Sequence, residues 1–299
     1  MSHNNFKKAQ VTIALSAYNA EDTIVDAIRS IQNQTYTNFH LYIIDDACTD
    51  KTKNIILNTI QDDRITLISM KQNIGTYAAK NLVLKHFAEG EFYAHQDADD
   101  FSLEDRFSTQ IAFLNENNFV ACGTGIDEFF KDPSVIPRFS QNIEAFFNSD
   151  DGFYHKYNKY PETISLNYAY EQSIPIEDLK LAMNGSLMFR TEIVKKMGGF
   201  DGKMFVAGDS DLILRLLPFY QFGNVQKILY ARRFHKKSLT GSQKTGFESP
   251  LRRNILDTIE EKRLSILNCI KNNDLESAFV LAKTNLFYPT AAFEVWPLG

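Results

Sequence analysis

The sequence predicts an α/β fold, a mostly parallel sheet flanked by helices, with a C-terminal helical extension. Three observations carry that prediction. Strand-like and helix-like runs alternate four times between positions 11 and 114, as βαβ units do. Polar residues collect directly behind three of the strand-like runs, at the edge where a parallel sheet binds ligands. From about position 250 the alternation gives way to one long charged stretch whose apolar residues have helical spacing.

In order, VTIALS (11–16) is the first strand. It leads into EDTIVDAIRSIQNQ, where Ile24, Ala27, Ile28 and Ile31 fall at i, i+3, i+4 and i+7 and give a helix with one apolar stripe. FHLYIID (39–45) and TDKTKNIILNTI repeat the unit, and ITLIS (65–69) with TYAAKNLVLKHFAEG repeats it again. EFYAHQ is the fourth strand, and Ser102 with Asp105 opens a helix carrying Phe107, Ile111 and Leu114. Residues 130–183 break the alternation and are rich in rings, among them Phe146, Phe147, Phe153, Tyr154, Tyr157, Tyr160, Tyr168 and Tyr170. Such an insert is either a satellite core or a platform for a sugar. In the tail, Ile255, Ile259, Leu264 and Ile266 mark a helix suited to packing on the rest of the chain, to pairing with a second copy, or to a membrane surface, the last disfavoured by its charges of both signs. The closing EVWPLG ends abruptly with the only tryptophan.

Composition narrows the class. With 299 residues and 44% hydrophobic side chains, the chain can bury one large core or two modest ones. A net charge of −5 argues against nucleic acid as the main partner. Three well-separated cysteines, Cys48, Cys122 and Cys269, indicate neither a disulfide framework nor a zinc site, and fit a reducing compartment. No stretch approaches the roughly 20 apolar residues of a membrane span. These features favour a cytoplasmic protein, with contact at the inner face of the membrane left open.

The residues behind the strands are Ser16, Tyr18 and Asn19 after the first, Asp45, Asp46 and Thr49 after the second, and Asp97, Asp99 and Asp100 after the fourth. Taken singly, each acid reads as a turn or a helix cap. Three clusters on one edge read as a site. Asp97 and Asp99 cannot both stay ionised at close range without a cation or strong donors between them. Mg²⁺ or Mn²⁺ suits such a pair, completing its shell with water and phosphate oxygens.

The segments SAYNAEDTIVDAIRSIQNQTYTNFHLYIIDDACTDKT, NIGTYAAKNLVL, GEFYAHQDADD and MNGSLMFRTEIVKKMGGFD with GDSDLILRL together resemble the glycosyltransferase family 2 pattern, over roughly residues 10–240. The resemblance implies a GT-A fold, with a Rossmann-like sheet, and an inverting, metal-dependent transfer of sugar from a nucleotide sugar, in that family commonly a UDP-sugar, to a saccharide or lipid-linked saccharide. It implies a domain at 1–245, with a nucleotide-binding half at 10–100 and an acceptor-binding half at 101–245, followed by an extension at 246–299. Bacterial surface polysaccharide, capsule or lipopolysaccharide, is the implied setting, and the absence of a QxxRW motif favours addition of single sugars.

By the same resemblance, Ser16, Tyr18 and Asn19 wall the nucleotide. Asp46 contacts the base, with Asp45 beside it, and Lys80 faces the diphosphate. Asp99 is a metal ligand, Asp97 lies near the ribose or the metal, and His235 closes over the metal and diphosphate. Asp209 matches the catalytic base, the second member of the family's Glu-Asp pair. Gly208 stands where the Glu is usual, so Asp211 stays open as the base, although its i, i+4 spacing to Arg215 favours a salt bridge.

Rival readings fit less well. A haloacid-dehalogenase-like phosphatase would carry its DxD on the first strand, followed by Thr or Val rather than Phe101. A nicotinamide dehydrogenase would show GxGxxG after an early strand. A catalytically lapsed nucleotide-sugar-binding module is supported only by the missing Glu before Asp209.

Overall fold

The computed structural model describes residues 10–130, 154–158, 160–165, 184–285 and 292–299. In the first half the predicted alternation is present: β1 (Val11–Ala17), α1 (Ile24–Gln32), β2 (Phe39–Asp45), α2 (Thr52–Thr59), β3 (Ile65–Met70), α3 (Thr76–His86), β4 (Phe92–Asp97), β5 (Phe101–Ser102) and α4 (Arg106–Glu116). Then come β6 (Ala121–Phe130), β7 (Tyr154–Asn158), β8 (Thr163–Ile164), β9 (Met188–Arg190), α5 (Thr191–Lys196), α6 (Gly208–Leu216) and β10 (Phe222–Arg233). The tail holds α7 (Pro250–Lys271), α8 (Leu275–Ala282) and β11 (Phe293–Pro297).

All the strands belong to one sheet. Its main path runs β11-β3-β2-β1-β4-β9-β6-β10-β5. The chain builds outward from β1 to β3 in parallel and then returns to place β4 on the other side of β1. Strand order therefore reverses between β1 and β4, the point at which open α/β sheets bind ligands. The register sets the site's edge: Ser16 lies opposite Asp97 on one side and Ile44 on the other, and Ala17 lies opposite Asp45. Antiparallel β9 joins this half to the second, where β6 and β10 are parallel.

Helices cover both faces, which explains the near-continuous apolar runs of the inner strands. On one face Ile24, Ile28 and Ile31 of α1, Ile56 of α2 and Phe107 and Leu114 of α4 pack on Ile13, Leu15, Leu41 and Ile43. On the other, Leu82 and Val83 of α3, Val194 of α5 and Leu212 and Leu216 of α6 pack around Ala14, Ile44, Ile68 and Tyr93.

Of the alternatives open for the tail, packing on the rest of the chain is the one present: Ile266, Ala278 and Ala282 join the second core cluster, so the helices are built into the main core. Beyond them β11, which the sequence reading left without an element, pairs antiparallel with β3, Val295 opposite Ile68. A five-residue edge strand has little pattern of its own, and its partner supplies the hydrogen bonds that define it. Of the aromatic insert, Phe146, Phe147, Phe153, Tyr168 and Tyr170 lie outside the described residues. Tyr157 is exposed on β7, which pairs with β6. No helix among the described residues is long and apolar enough to cross a membrane.

Candidate active site

At the β1/β4 edge, the three carboxylates behind β4 each have a separate protein partner. Asp97 Oδ1 lies 3.2 Å from Lys80 Nζ. Asp99 Oδ2 lies 3.1 Å from His235 Nε2. Asp100 accepts the Arg233 N–H at 2.8 Å and the Tyr230 hydroxyl at 3.0 Å, and the same hydroxyl accepts the Asp97 N–H at 3.3 Å. The repulsion inferred from the sequence is thus met within the protein: Lys80 at Asp97, His235 at Asp99, and two donors at Asp100. Asp97 and Asp99 keep roughly a third of their side chains open, 32% and 31%, whereas Asp100 is buried. Asp100 therefore pins the loop to β10 and leaves Asp97 and Asp99 at the surface.

Electrostatics separate Asp100 from Asp99. Burial drives Asp100 well above the usual carboxylate range, and the charges of Asp99 and Asp97 add to it. Burial also raises Asp99, but the hydrogen bond and charge of His235, with Arg233 behind them, outweigh it and hold Asp99 low.

Helix α3 links this loop to the predicted base. Tyr77 and Lys80, one turn apart, reach different carboxylates: the Tyr77 hydroxyl donates to Asp209 Oδ1 at 3.2 Å, and Lys80 takes Asp97. Burial holds the Tyr77 hydroxyl well above its ordinary range, with Asp209 the next cause and Asp97 a further one. One phenol thus senses both acids. Asp209 sits in the first turn of α6. Gly208, where the family pattern has Glu, has a packing reason: a Cβ there would lie 2.8 Å from the Tyr77 ring. Gly208→Glu, although it restores the pattern, is expected to cost about 1–3 kcal/mol through overpacking and to lower the melting temperature without raising activity.

The other predicted residues are largely spent on the fold. Asp46 is buried and accepts the N–H groups of Ile74 and Gly75 at 2.8 and 2.9 Å. Burial raises its carboxyl, and those two bonds partly offset the shift. Gly75, at φ +85°, is the residue before α3, so Asp46 fixes the entry of the helix that carries Tyr77 and Lys80. Asp45 accepts the Cys48 N–H at 3.0 Å and the Ser69 hydroxyl at 2.7 Å. Asn19, at φ 51°, accepts the Thr49 N–H at 2.8 Å. Ser16 is half-buried and Tyr18 is 54% exposed. Lys80, expected from the sequence to face the diphosphate, has a fully buried side chain whose Nζ pairs with Asp97.

Asp211 is enclosed by its partners. It is fully buried, 2.7 Å from Arg215 Nε and 3.4 Å from Lys262 Nζ. Arg252 approaches Asp209 from the tail: burial lowers its guanidinium, and Tyr77 and Asp209 pull it back up.

Among the described residues no group of three His, Cys, Asp or Glu side chains is placed to hold a metal ion. Asp99 and His235 are the available pair, one carboxylate and one imidazole, and buried Nδ1 of His235 has no hydrogen-bond partner. That donor set suits Mn²⁺ or Mg²⁺, ions that take one or two protein ligands and fill the shell from phosphate and water. Asp97, turned to Lys80, adds nothing to it in this arrangement. The sequence reading missed Tyr77 and Tyr230 because neither lies in an acidic cluster. Their bonds to Asp209 and Asp97 span 132 and 133 positions, and no local signal foretells them.

Comparison with known proteins gives the family and supports the fold. The family model described as glycosyl transferase family 2 matches residues 12–187. The UDP-Glc:alpha-D-GlcNAc-diphosphoundecaprenol beta-1,3-glucosyltransferase WfgD of Escherichia coli is 34% identical over 129 residues, 43% of this chain and 50% of that protein. The chain thus spans about half the length of such relatives. Among solved structures, S. aureus TarS 1-349 in complex with UDP-GlcNAc aligns at TM-score 0.53 and 20% identity over 77% of this chain and 60% of its own. The mannosyltransferase PcManGT from Pyrobaculum calidifontis, in complex with GDP-Man and Mn2+, aligns at TM-score 0.54 and 17% identity over 91% of this chain and 73% of its own. At these identities the structures speak for the fold.

Proposed function

The chain belongs to glycosyl transferase family 2, and from that premise we propose that it moves a sugar from a UDP-sugar, with inversion, to a hydroxyl of a saccharide or lipid-linked saccharide in bacterial surface-polysaccharide assembly. The observation that carries the reading is the pairing across α3, with Tyr77 on Asp209 and Lys80 on Asp97. It holds a carboxylate suited to proton transfer beside a second one at the strand-order reversal. The relative WfgD, named for a UDP-glucose donor and a diphosphoundecaprenol-linked acceptor, supports the choice of UDP and of a lipid-linked acceptor.

Asp209 takes the proton of the acceptor hydroxyl as its oxygen attacks the anomeric carbon. The carbon–oxygen bond to the diphosphate breaks on the opposite face, and UDP leaves with the electron pair. Tyr77 orients the Asp209 carboxylate. Asp97, held by buried Lys80, is placed to accept from the ribose, so Lys80 acts through Asp97. Tyr18, exposed after β1, offers its ring to the base, with Ser16 beside it. Asp46, its two oxygens already on backbone N–H groups, shapes the base pocket chiefly by fixing the start of α3, and Asp45 and Asn19 hold the loops around it. Asp99 and His235 would hold the Mn²⁺ or Mg²⁺ ion. When bound, that ion supplies Lewis-acid stabilisation of the departing diphosphate.

Calorimetric titration of UDP, with and without Mn²⁺, tests this reading. We expect binding that Mn²⁺ strengthens at least about tenfold and that Asp99→Ala uncouples from the metal. UDP binding that ignores both the ion and Asp99 would overturn the metal assignment, and no UDP binding would overturn the donor.

A further inference from the structure

The stretch from Arg232 to Arg253 carries seven Lys or Arg residues and one acid, Glu248, in a chain of net charge −5. Its arginines are engaged. Arg232 pairs with Glu128, Arg233 with Asp26 and Arg253 with Glu248. Arg252 donates to the carbonyls of Thr245 and Leu239 at 2.9 and 3.4 Å. Lys236, Lys237 and Lys244 are different: all three are exposed and none forms an ion pair among the described residues. They are a local positive field with no ion-pair partner among the described residues.

The same stretch holds apolar side chains out to solvent. Leu239 is 42% exposed, Phe247 54% and Leu251 38%. The loop's own bonds keep them there. The Ser238 N–H donates to His235 O at 3.1 Å, the Gly241 N–H to Ser238 O at 3.2 Å and the Gly246 N–H to Ser242 O at 2.7 Å. Arg252 ties the two ends together, bonding the Leu239 carbonyl while its guanidinium lies 5.1 Å from the centre of the Phe247 ring. Arg252 thus brings Leu239 and Phe247 together, Leu251 precedes it in the chain, the exposed lysines lie in the same stretch, and His235, at the start of the loop, touches Asp99.

A phosphate-bearing donor explains positive charge near Asp99, but it gives no reason to expose Leu239, Phe247 and Leu251. A bilayer with anionic headgroups accounts for both features, because short apolar side chains enter the headgroup boundary while lysines sit at the phosphates. We propose that the loop from His235 to Leu251 docks on an anionic lipid bilayer, with Leu239, Phe247 and Leu251 entering the headgroup layer and Lys236, Lys237 and Lys244 at its surface. The site is then held next to the plane from which a lipid-linked molecule would present its headgroup. The inference stands apart from the transfer reading, since it needs neither donor nor metal.

Co-sedimentation of the full chain with vesicles, in the absence of nucleotide, tests it. We expect binding to phosphatidylcholine vesicles containing about two-fifths phosphatidylglycerol, little binding to phosphatidylcholine alone, and release as salt rises toward roughly 0.5 M. At about fivefold per lysine, Lys236→Gln with Lys237→Gln and Lys244→Gln is expected to weaken binding roughly a hundredfold. Leu239→Ser with Phe247→Ser is expected to weaken it about tenfold or more, and Phe247→Ser alone serves if the pair lowers the melting temperature. Failure to bind the anionic vesicles at low salt overturns the proposal. So does binding that the serine variants leave unchanged, which would mean surface adsorption of a basic loop without insertion.

Discussion

Asp209→Asn is expected to cut transfer about a thousandfold while leaving UDP affinity within about twofold of the original. Asn keeps the shape of the side chain and an oxygen for the Tyr77 hydroxyl, which donates to Asp209 at 3.2 Å, so α6 and its packing persist. It lacks the basicity to take a proton from the acceptor hydroxyl. Activity and binding are therefore expected to separate, and that separation distinguishes a catalytic base from a structural acid. A companion variant, Tyr77→Phe, removes only the orienting bond to the carboxylate and is expected to lower turnover roughly tenfold, the scale of one hydrogen bond to a charged group. Steady-state transfer assays beside UDP calorimetry would measure both. Turnover by Asp209→Asn within a few fold of the original would remove Asp209 from the role, and the lapsed-module reading would gain if the unaltered chain bound UDP without turning over.

The sequence reading reached the first half of the fold well because two periods dominate there. Strands buried on both faces keep unbroken apolar runs, and α1 places Ile24, Ala27, Ile28 and Ile31 on one stripe, all of them buried. Positions behind those strands follow from topology alone, which is why Asp97 and Asp99 could be singled out. Which side chain answers which charge is set by distant contacts. Lys80 reads as a cation facing outward until the structure buries it against Asp97. Asp45 and Asp46 read as ligand-binding groups, yet their oxygens hold Ser69, Cys48, Ile74 and Gly75. For that pair the plainer expectation, that an acid after a strand serves the turn it sits in, describes the geometry better. β11 was illegible for a related reason, since its identity comes from β3.

Asp211 offers the second large effect, one on stability. Removing Arg215, as in Arg215→Ala, is expected to destabilise the chain by about 3–5 kcal/mol, the usual consequence of leaving a buried charge without its partner. Asp211 is fully enclosed, and Lys262 at 3.4 Å is its only other cationic partner among the described residues. The same guanidinium donates to Ala282 O at 3.0 Å and Gly199 O at 2.8 Å. It therefore joins α6, the glycine turn after α5 and the end of α8, and its loss removes a donor from the Asp211 carboxylate and from the Gly199 and Ala282 carbonyls. The melting temperature is expected to fall by roughly 10 °C. Asp211→Leu with Arg215→Met replaces the pair by apolar groups and is expected to recover much of that loss, because a buried pair gains little over well-packed hydrocarbon once both charges are gone. The comparison also decides between the two candidate bases. If Asp211 is structural, the apolar double variant keeps a substantial part of the transfer activity while Asp209→Asn does not. A stable double variant with turnover as low as that of Asp209→Asn would instead place Asp211 in the reaction.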